Sequence, residues 1–146
     1  MSQSRAEALQ DLEREVGVLV RRIKRVIAER AACVHPELQP GAFQLLLWVA
    51  DHGPVRPSVL VDEFHIDKGA VSRTMQHLVD LGLLDREPDP EDGRATLISA
   101  SPDAVRRLKD AAAQRRAWVR ERLEGWSAAE LSELAEHLGR YNQALM

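Results

Sequence analysis

Arg73 and Arg94 are the side chains of this 146-residue chain with the clearest chemistry to offer. Arg73 lies in a helical pattern, Asp67-Lys68-Gly69-Ala70-Val71-Ser72-Arg73-Thr74-Met75-Gln76-His77, while Arg94 follows Asp92-Gly93. A guanidinium on a polar helix face can grip guanine or a phosphate with paired hydrogen bonds. A guanidinium on a turn suits the minor groove, where width and potential matter more than a base code. Lys68, Ser72, Gln76 and His77 share the first segment and add further donors. Lys68, Ser72, Arg73, Gln76, His77 and Arg94 are therefore the candidate nucleic-acid contacts. Asp92 has a different task, because a carboxylate facing phosphate is repelled. It is assigned to orienting Arg94 or capping the turn.

These side chains need a helix and a hairpin to hold them. Asp67 is a good N-cap, since its carboxylate can accept from free first-turn amides. Val71, Met75, Leu78 and Val79 recur at helical spacing and form one apolar face. Gly69, Arg73, Gln76 and Asp80 fall opposite. Gly82 is placed for a left-handed C-cap. Leu83 and Leu84 continue as a strand that Pro88 and Pro90 stop, Asp92-Gly93 favours a tight hairpin turn, and a second strand follows. Upstream, Pro57 suits the first turn of a helix running to about Phe64, with His65 and Ile66 as the turn before the next helix. Val55 is placed for a short strand pairing with the hairpin. Helix, turn, helix and β hairpin together are the grammar of a winged helix-turn-helix.

Two apolar arms flank that core. Ala6 to about Arg30 reads as one long helix with a stripe that includes Leu9, Leu12, Val16 and Leu19. A helix near that length is long for a small domain, so its stripe needs a partner. Pro36 and Pro40 mark a loop, and Phe43, Leu46, Leu47 and Val49 a second helix ending near Gly53. After the hairpin, Ser101-Pro102-Asp103 opens a helix to about Glu124, with Val105, Leu108, Ala112, Val119 and Leu123 turned inward. Ser127-Ala128-Ala129-Glu130 is a capping box starting a last helix that carries Leu131, Leu134, Leu138, Tyr141 and Leu145.

The segment Asp92, Arg94, Ile98 and Ser101 resembles the wing motif of the multiple antibiotic resistance regulator (MarR) family: an aspartate, any residue, an arginine, a short apolar strand and a hydroxyl residue opening the next helix. Asp67 to Arg73 is similar to that family's recognition-helix start, and helix order and length agree over almost the whole chain. The chain departs at Gly93, where the family often has a basic residue, and at Gly69 and Ala70, where hydroxyl residues often stand; both changes remove polar contacts to DNA. The resemblance implies a mainly α fold with a small β wing: a winged helix-turn-helix over about 40–100, flanked by dimerisation helices over about 6–30 and 101–145 of a single domain spanning 1–146. It implies arms that intertwine into a homodimer through Leu9, Leu12, Val16, Leu131, Leu134 and Leu138. It implies a repressor of a palindromic operator in double-stranded DNA, responsive to stress or to a small aromatic or anionic effector. Phe43 and Trp48 are the residues placed to line an effector pocket.

Composition bounds the alternatives. A 45% hydrophobic content suffices for one core. No run of eighteen apolar residues marks a membrane span, and the N-terminus lacks a signal-peptide stretch. One cysteine makes no intrachain disulfide, so the chain reads as cytoplasmic. Cys33 stands between apolar neighbours and reads as a buried, inert thiol rather than an oxidant sensor. Trp48, Trp118 and Trp126 read as core. The pairs Arg21-Arg22, Arg106-Arg107 and Arg115-Arg116 read as solvated helix faces. The five histidines show no metal-ligand spacing, and no phosphate loop, nucleophile elbow or paired-carboxylate motif suggests an enzyme or a cofactor. Charge is the awkward feature. The net charge is -3, and between Arg56 and Ile98 five basic residues stand against nine acidic ones. Glu87, Asp89 and Glu91 would repel phosphate unless they turn away or pair with arginines. That acidity keeps a second reading open, a winged helix that binds another protein and no DNA.

Overall fold

The computed structural model describes residues 3–146. Its elements are α1 (Arg5–Val34), α2 (Pro40–His52), α3 (Pro57–Phe64), α4 (Lys68–Asp80), β1 (Leu84–Pro88), β2 (Thr96–Ala100), α5 (Pro102–Arg122) and α6 (Ala128–Ala144). The described residues are mainly α with one two-stranded antiparallel sheet. It divides into two compact units, one running to Ala111 and one spanning Ala112–Met146.

The first unit owes its core to the apolar faces read from the sequence. Phe43, Leu46 and Val49 of α2, Leu60 of α3, Val71 and Leu78 of α4 and Ile98 of β2 are each at most 1% exposed. Ala31 and Val34, at the end of α1, and Ala104, Leu108 and Ala111 of α5 join the same cluster. Helix α1 therefore runs four residues beyond the expected Arg30, because Ala31 and Val34 have a core to enter. Its start is fixed by a capping box in which Ser4 and Glu7 satisfy each other's amides. Arg107 ties α5 to the end of α1 by donating from Nη1 to the Val34 carbonyl at 2.9 Å. The hydroxyl of Ser101 accepts from the Ala104 amide and donates to the Gly82 carbonyl at 2.7 Å, joining the start of α5 to the end of α4.

The second unit holds the last part of α5 and all of α6, which begins at a capping box between Ser127 and Glu130. No residue of α6 is buried.

Several expectations are corrected. Cys33 is exposed rather than buried, because Ala31 and Val34 take the inward face and turn the thiol outward. Trp118 and Trp126 are 47% and 44% exposed rather than core. Arg115 and Arg122 instead stack over the Trp118 ring at 4.7 and 5.2 Å. Val105 points outward, one position away from the buried Ala104. Phe43 is 1% exposed and fills the core, so it does not line an open pocket. Trp48 does pack beside that core, edge-on to Phe64 and stacked on His52.

Candidate nucleic-acid interface

Helix α4 follows α3 across a three-residue turn, His65, Ile66 and Asp67. His65 takes a left-handed conformation with φ 52°. Histidine is among the residues that tolerate this region better than most. Asp67 accepts the Ala70 amide on its Oδ1 at 2.9 Å, as an N-cap should. At the far end the Leu83 amide reaches the Leu78 carbonyl and the Gly82 amide the Val79 carbonyl, with Gly82 at φ 74°. This pair of bonds is the Schellman arrangement, and only a residue at ease with positive φ completes it without cost. The chain then turns directly into β1.

With both ends fixed, the helix has one inward and one outward face. Val71, Met75 and Leu78 are buried, and Lys68, Ser72, Arg73, Gln76 and Asp80 are exposed. The outward residues are not equally free. Gln76 donates to Asp80 Oδ1 at 2.8 Å. His77 is half-buried on the flank, with Nε2 3.3 Å from the Glu37 carbonyl, so it faces the α1–α2 loop. The Arg73 guanidinium lies back over the first turn, where a Cβ on Gly69 would stand 3.2 Å from Nη1. Glycine thus leaves room for that rotamer.

The hairpin pairs Leu84 with Ala100 through Pro88 with Thr96. Val55 adds an isolated bridge to Ile98, with the Val55 amide donating at 3.0 Å and the Ile98 amide returning at 2.8 Å. The loop between the strands is longer than the tight Asp92-Gly93 turn expected. It spans residues 89–95, and Gly93 does not adopt positive φ. Two aspartates build it instead. Asp92 Oδ1 accepts the Arg94 amide at 3.1 Å, and the Asp92 carbonyl accepts the Ala95 amide at 2.9 Å. Asp89 Oδ1 accepts the Glu91 amide at 2.9 Å. Such side-chain-to-amide turns suit aspartate because its carboxylate reaches two residues ahead. Asp92 therefore meets Arg94 through the backbone, and the Arg94 side chain projects exposed from the loop.

Asp89 takes the second of the courses open to it, pairing with an arginine, and its residue is only 7% exposed. Its Oδ2 accepts from Arg56 Nε at 2.9 Å and Nη2 at 2.6 Å. The Glu91 amide and then the Arg56 guanidinium hold the Asp89 carboxyl below its usual range, and Asp89 in turn raises Arg56. One of the acidic charges near the wing is thus neutralised, while Glu87 and Glu91 remain exposed. In the sequence Arg56 stands out only as one of the basic residues of the segment. The two residues are 33 positions apart, and no local pattern announces the pair.

Among the described residues no cluster of histidine, cysteine or acidic side chains is arranged to hold a metal ion. No helix among the described residues is long and apolar enough to cross a membrane. A capped helix following a short turn, with a braced hairpin beside it, defines the winged helix-turn-helix class.

Comparison with known proteins agrees. The MarR family model matches residues 37–95, from the α1–α2 loop to the wing. An HTH-type transcriptional regulator of Mycobacterium leprae is 31% identical over 114 residues, 77% of each chain. The fold is similar to that of the YusO protein from Bacillus subtilis, with a TM-score of 0.78 at 18% identity over 97% of this chain and 99% of that one. It is also similar to a mutant MarR from Escherichia coli complexed with operator DNA, with a TM-score of 0.65 at 19% identity over 95% and 99% of the two chains. The chain belongs to the MarR family of transcriptional regulators.

Proposed function

We propose that the protein is a homodimeric repressor in the cytoplasm that binds a palindromic operator in double-stranded DNA and releases it in response to a small effector or stress. The observation that carries the reading is the pairing of two exposed cationic elements on one braced scaffold: Lys68, Ser72 and Arg73 on α4, and Arg94 on the wing. Helix α4 enters the major groove, where Arg73 reads a base edge and Lys68 and Ser72 hold phosphates. Gln76 reaches the same groove once it leaves Asp80, and His77 lies at its margin. The wing lays Arg94 along the adjacent minor groove, with Asp92 shaping the loop beneath it. The operator complex of the Escherichia coli MarR mutant supports carrying this docking over to the present chain.

Dimerisation rests on the arms. Leu9, Leu12, Leu131, Leu134 and Leu138 are between 38% and 47% exposed, and Val16 is half-buried. A stripe of this extent is costly in water at roughly 25 cal/mol per Å² of apolar surface. In the second unit Leu131 and Trp126 line an open groove with Leu123, Arg115 and Arg120. The exposed apolar stripe of α1, offered by a second copy, is an apolar surface able to cover that groove. For an anionic effector, the supporting feature is Arg30. Its Nε is buried without a hydrogen-bond partner among the described residues, and its guanidinium stacks 5.5 Å above Phe43.

Selection from a random DNA pool tests the reading. The expected product is a palindrome with half-sites about 10 base pairs apart, bound with an affinity that falls steeply with salt. Exposed Glu87 and Glu91 favour the second reading, a protein-binding winged helix, and a pool that enriches no sequence would overturn the DNA reading in its favour.

A further inference from the structure

The wing is attached to the rest of the first unit at two points by consecutive residues. Val55 pairs with Ile98, the middle residue of β2, through two backbone hydrogen bonds of 3.0 and 2.8 Å. Arg56 holds Asp89 in the hairpin loop through two side-chain hydrogen bonds of 2.9 and 2.6 Å. Arg56 is also the N-cap position of α3, the first helix of the helix-turn-helix. Asp89 carries more than this ion pair. Its Oδ1 accepts the Glu91 amide, and its own amide donates to the Ala95 carbonyl at 3.0 Å. The Ala95 amide returns to the Asp92 carbonyl, and Asp92 Oδ1 takes the amide of Arg94. A continuous chain of contacts thus runs from α3 through Arg56, Asp89, Ala95 and Asp92 to the backbone of Arg94. A hairpin held only along its strands can swing at its tip, whereas a second hold inside the loop fixes the angle.

We propose that Arg56 is a positioning residue of the DNA interface: through Asp89 it sets where the wing presents Arg94 relative to the recognition helix α4. It rests on the DNA-binding reading above and goes beyond it by assigning a role to two residues outside the contact set. Arg56 acts on DNA through Arg94 and not by its own charge. Asp89 is a carboxylate that strengthens DNA binding although it is negative.

The sign of the Asp89 effect gives the sharpest test. A carboxylate that merely repels phosphate makes Asp89→Asn bind DNA more tightly; a carboxylate that positions the wing makes the same substitution bind more weakly. The measurement is affinity for the duplex that the wild-type protein enriches from a random DNA pool. Arg56→Ala, Asp89→Asn, Arg94→Ala and Arg73→Ala are titrated, together with Arg56→Ala in each of the last two backgrounds. We expect Arg56→Ala and Asp89→Asn each to weaken binding about tenfold, an ordinary coupling between residues in one network. In the Arg94→Ala background Arg56→Ala adds little, and in the Arg73→Ala background its full effect returns. Arg56→Lys, which keeps the charge but loses the paired donors, recovers only part of the loss. Thermal melting confirms folding, and amide exchange at Glu91, Arg94 and Ala95 rises in Arg56→Ala, a readout independent of DNA. Tighter binding by Asp89→Asn, or equal Arg56→Ala losses in both backgrounds, would overturn the proposal while leaving DNA binding intact. A wild-type protein that enriches no duplex overturns both.

Discussion

Helices α4 and α6 are written in the same grammar and meet different fates. Each starts at a side-chain N-cap, Asp67 in one and Ser127 in the other, and each carries an apolar stripe at helical spacing. Val71, Met75 and Leu78 of α4 are buried by its own unit, whereas no residue of α6 is buried. Amphipathicity therefore says that a face will be covered without saying by which chain. A helix whose stripe is met by α2, α3 and β1 of the same unit becomes a rigid platform for its outward face. A helix whose stripe is left at about 40% exposure is not covered by its own unit, and in the proposed dimer the second copy covers it.

The comparison can be broken most forcefully in the platform. Leu78→Ala removes a fully buried side chain and should cost about 2–5 kcal/mol, read as a lower denaturation midpoint. A loss below about 0.5 kcal/mol, typical of surface sites, would mean that α4 is not packed as described.

Leu134→Asp places a charge on the exposed stripe of α6. If that face is solvated, the change should stay within about 0.5 kcal/mol. In the proposed dimer it should shift sedimentation to the monomer and make the melting temperature fall on dilution. An unchanged dimer would place the contact on another face.

The outward face of the platform is probed by its two arginines. Arg73→Ala should cost about 1–3 kcal/mol on the enriched duplex and relax base choice at one position per half-site. Arg94→Ala should weaken enriched and scrambled duplexes by similar factors and lower the salt slope. The reverse pattern would exchange the grooves assigned to helix and wing.

The smallest effect concerns the α6 cap. The Ser127 amide, then its hydroxyl, hold the Glu130 carboxyl below its usual range. A group whose folded value is depressed stabilises the fold above its unfolded pKa, and that contribution is lost as pH falls through the folded value. Acidification below the ordinary carboxylate range should thus fray the start of α6, seen as a lower protection factor for the Glu130 amide relative to its intrinsic exchange at the same pH. Glu130→Gln should remove most of that pH dependence, and Ser127→Ala should cost about 1 kcal/mol at neutral pH.

Local devices were legible because their causes are local. Asp67, Gly82 and the Ser127–Glu130 capping box act within a few residues, and the spacing of Val71, Met75 and Leu78 decides a face by helix geometry alone. The α1 boundary was legible only as far as Arg30, since the last turn is held by core contacts rather than by periodicity. Asp92-Gly93 is a strong short-range signal for a tight turn, yet the loop is longer because it is shaped by Asp89 and its distant arginine. Trp118 and Cys33 show the same limit: residue type predicts average burial, but the face is settled by which neighbours reach the core first.

What the sequence determined by itself was the order of helices and wing, the polar face of α4 and the presence of apolar arms. Each of these follows from propensity, capping and periodicity within short windows. Only the tertiary structure decided that Arg56 spends its charge on Asp89, that His77 turns toward Glu37 and that the aromatic ring of Phe43 lies in the core. Those outcomes join residues from separate elements. Their energies depend on geometry that exists only after the elements have packed, because a hydrogen bond forms at about 3 Å and sequence separation carries no such distance.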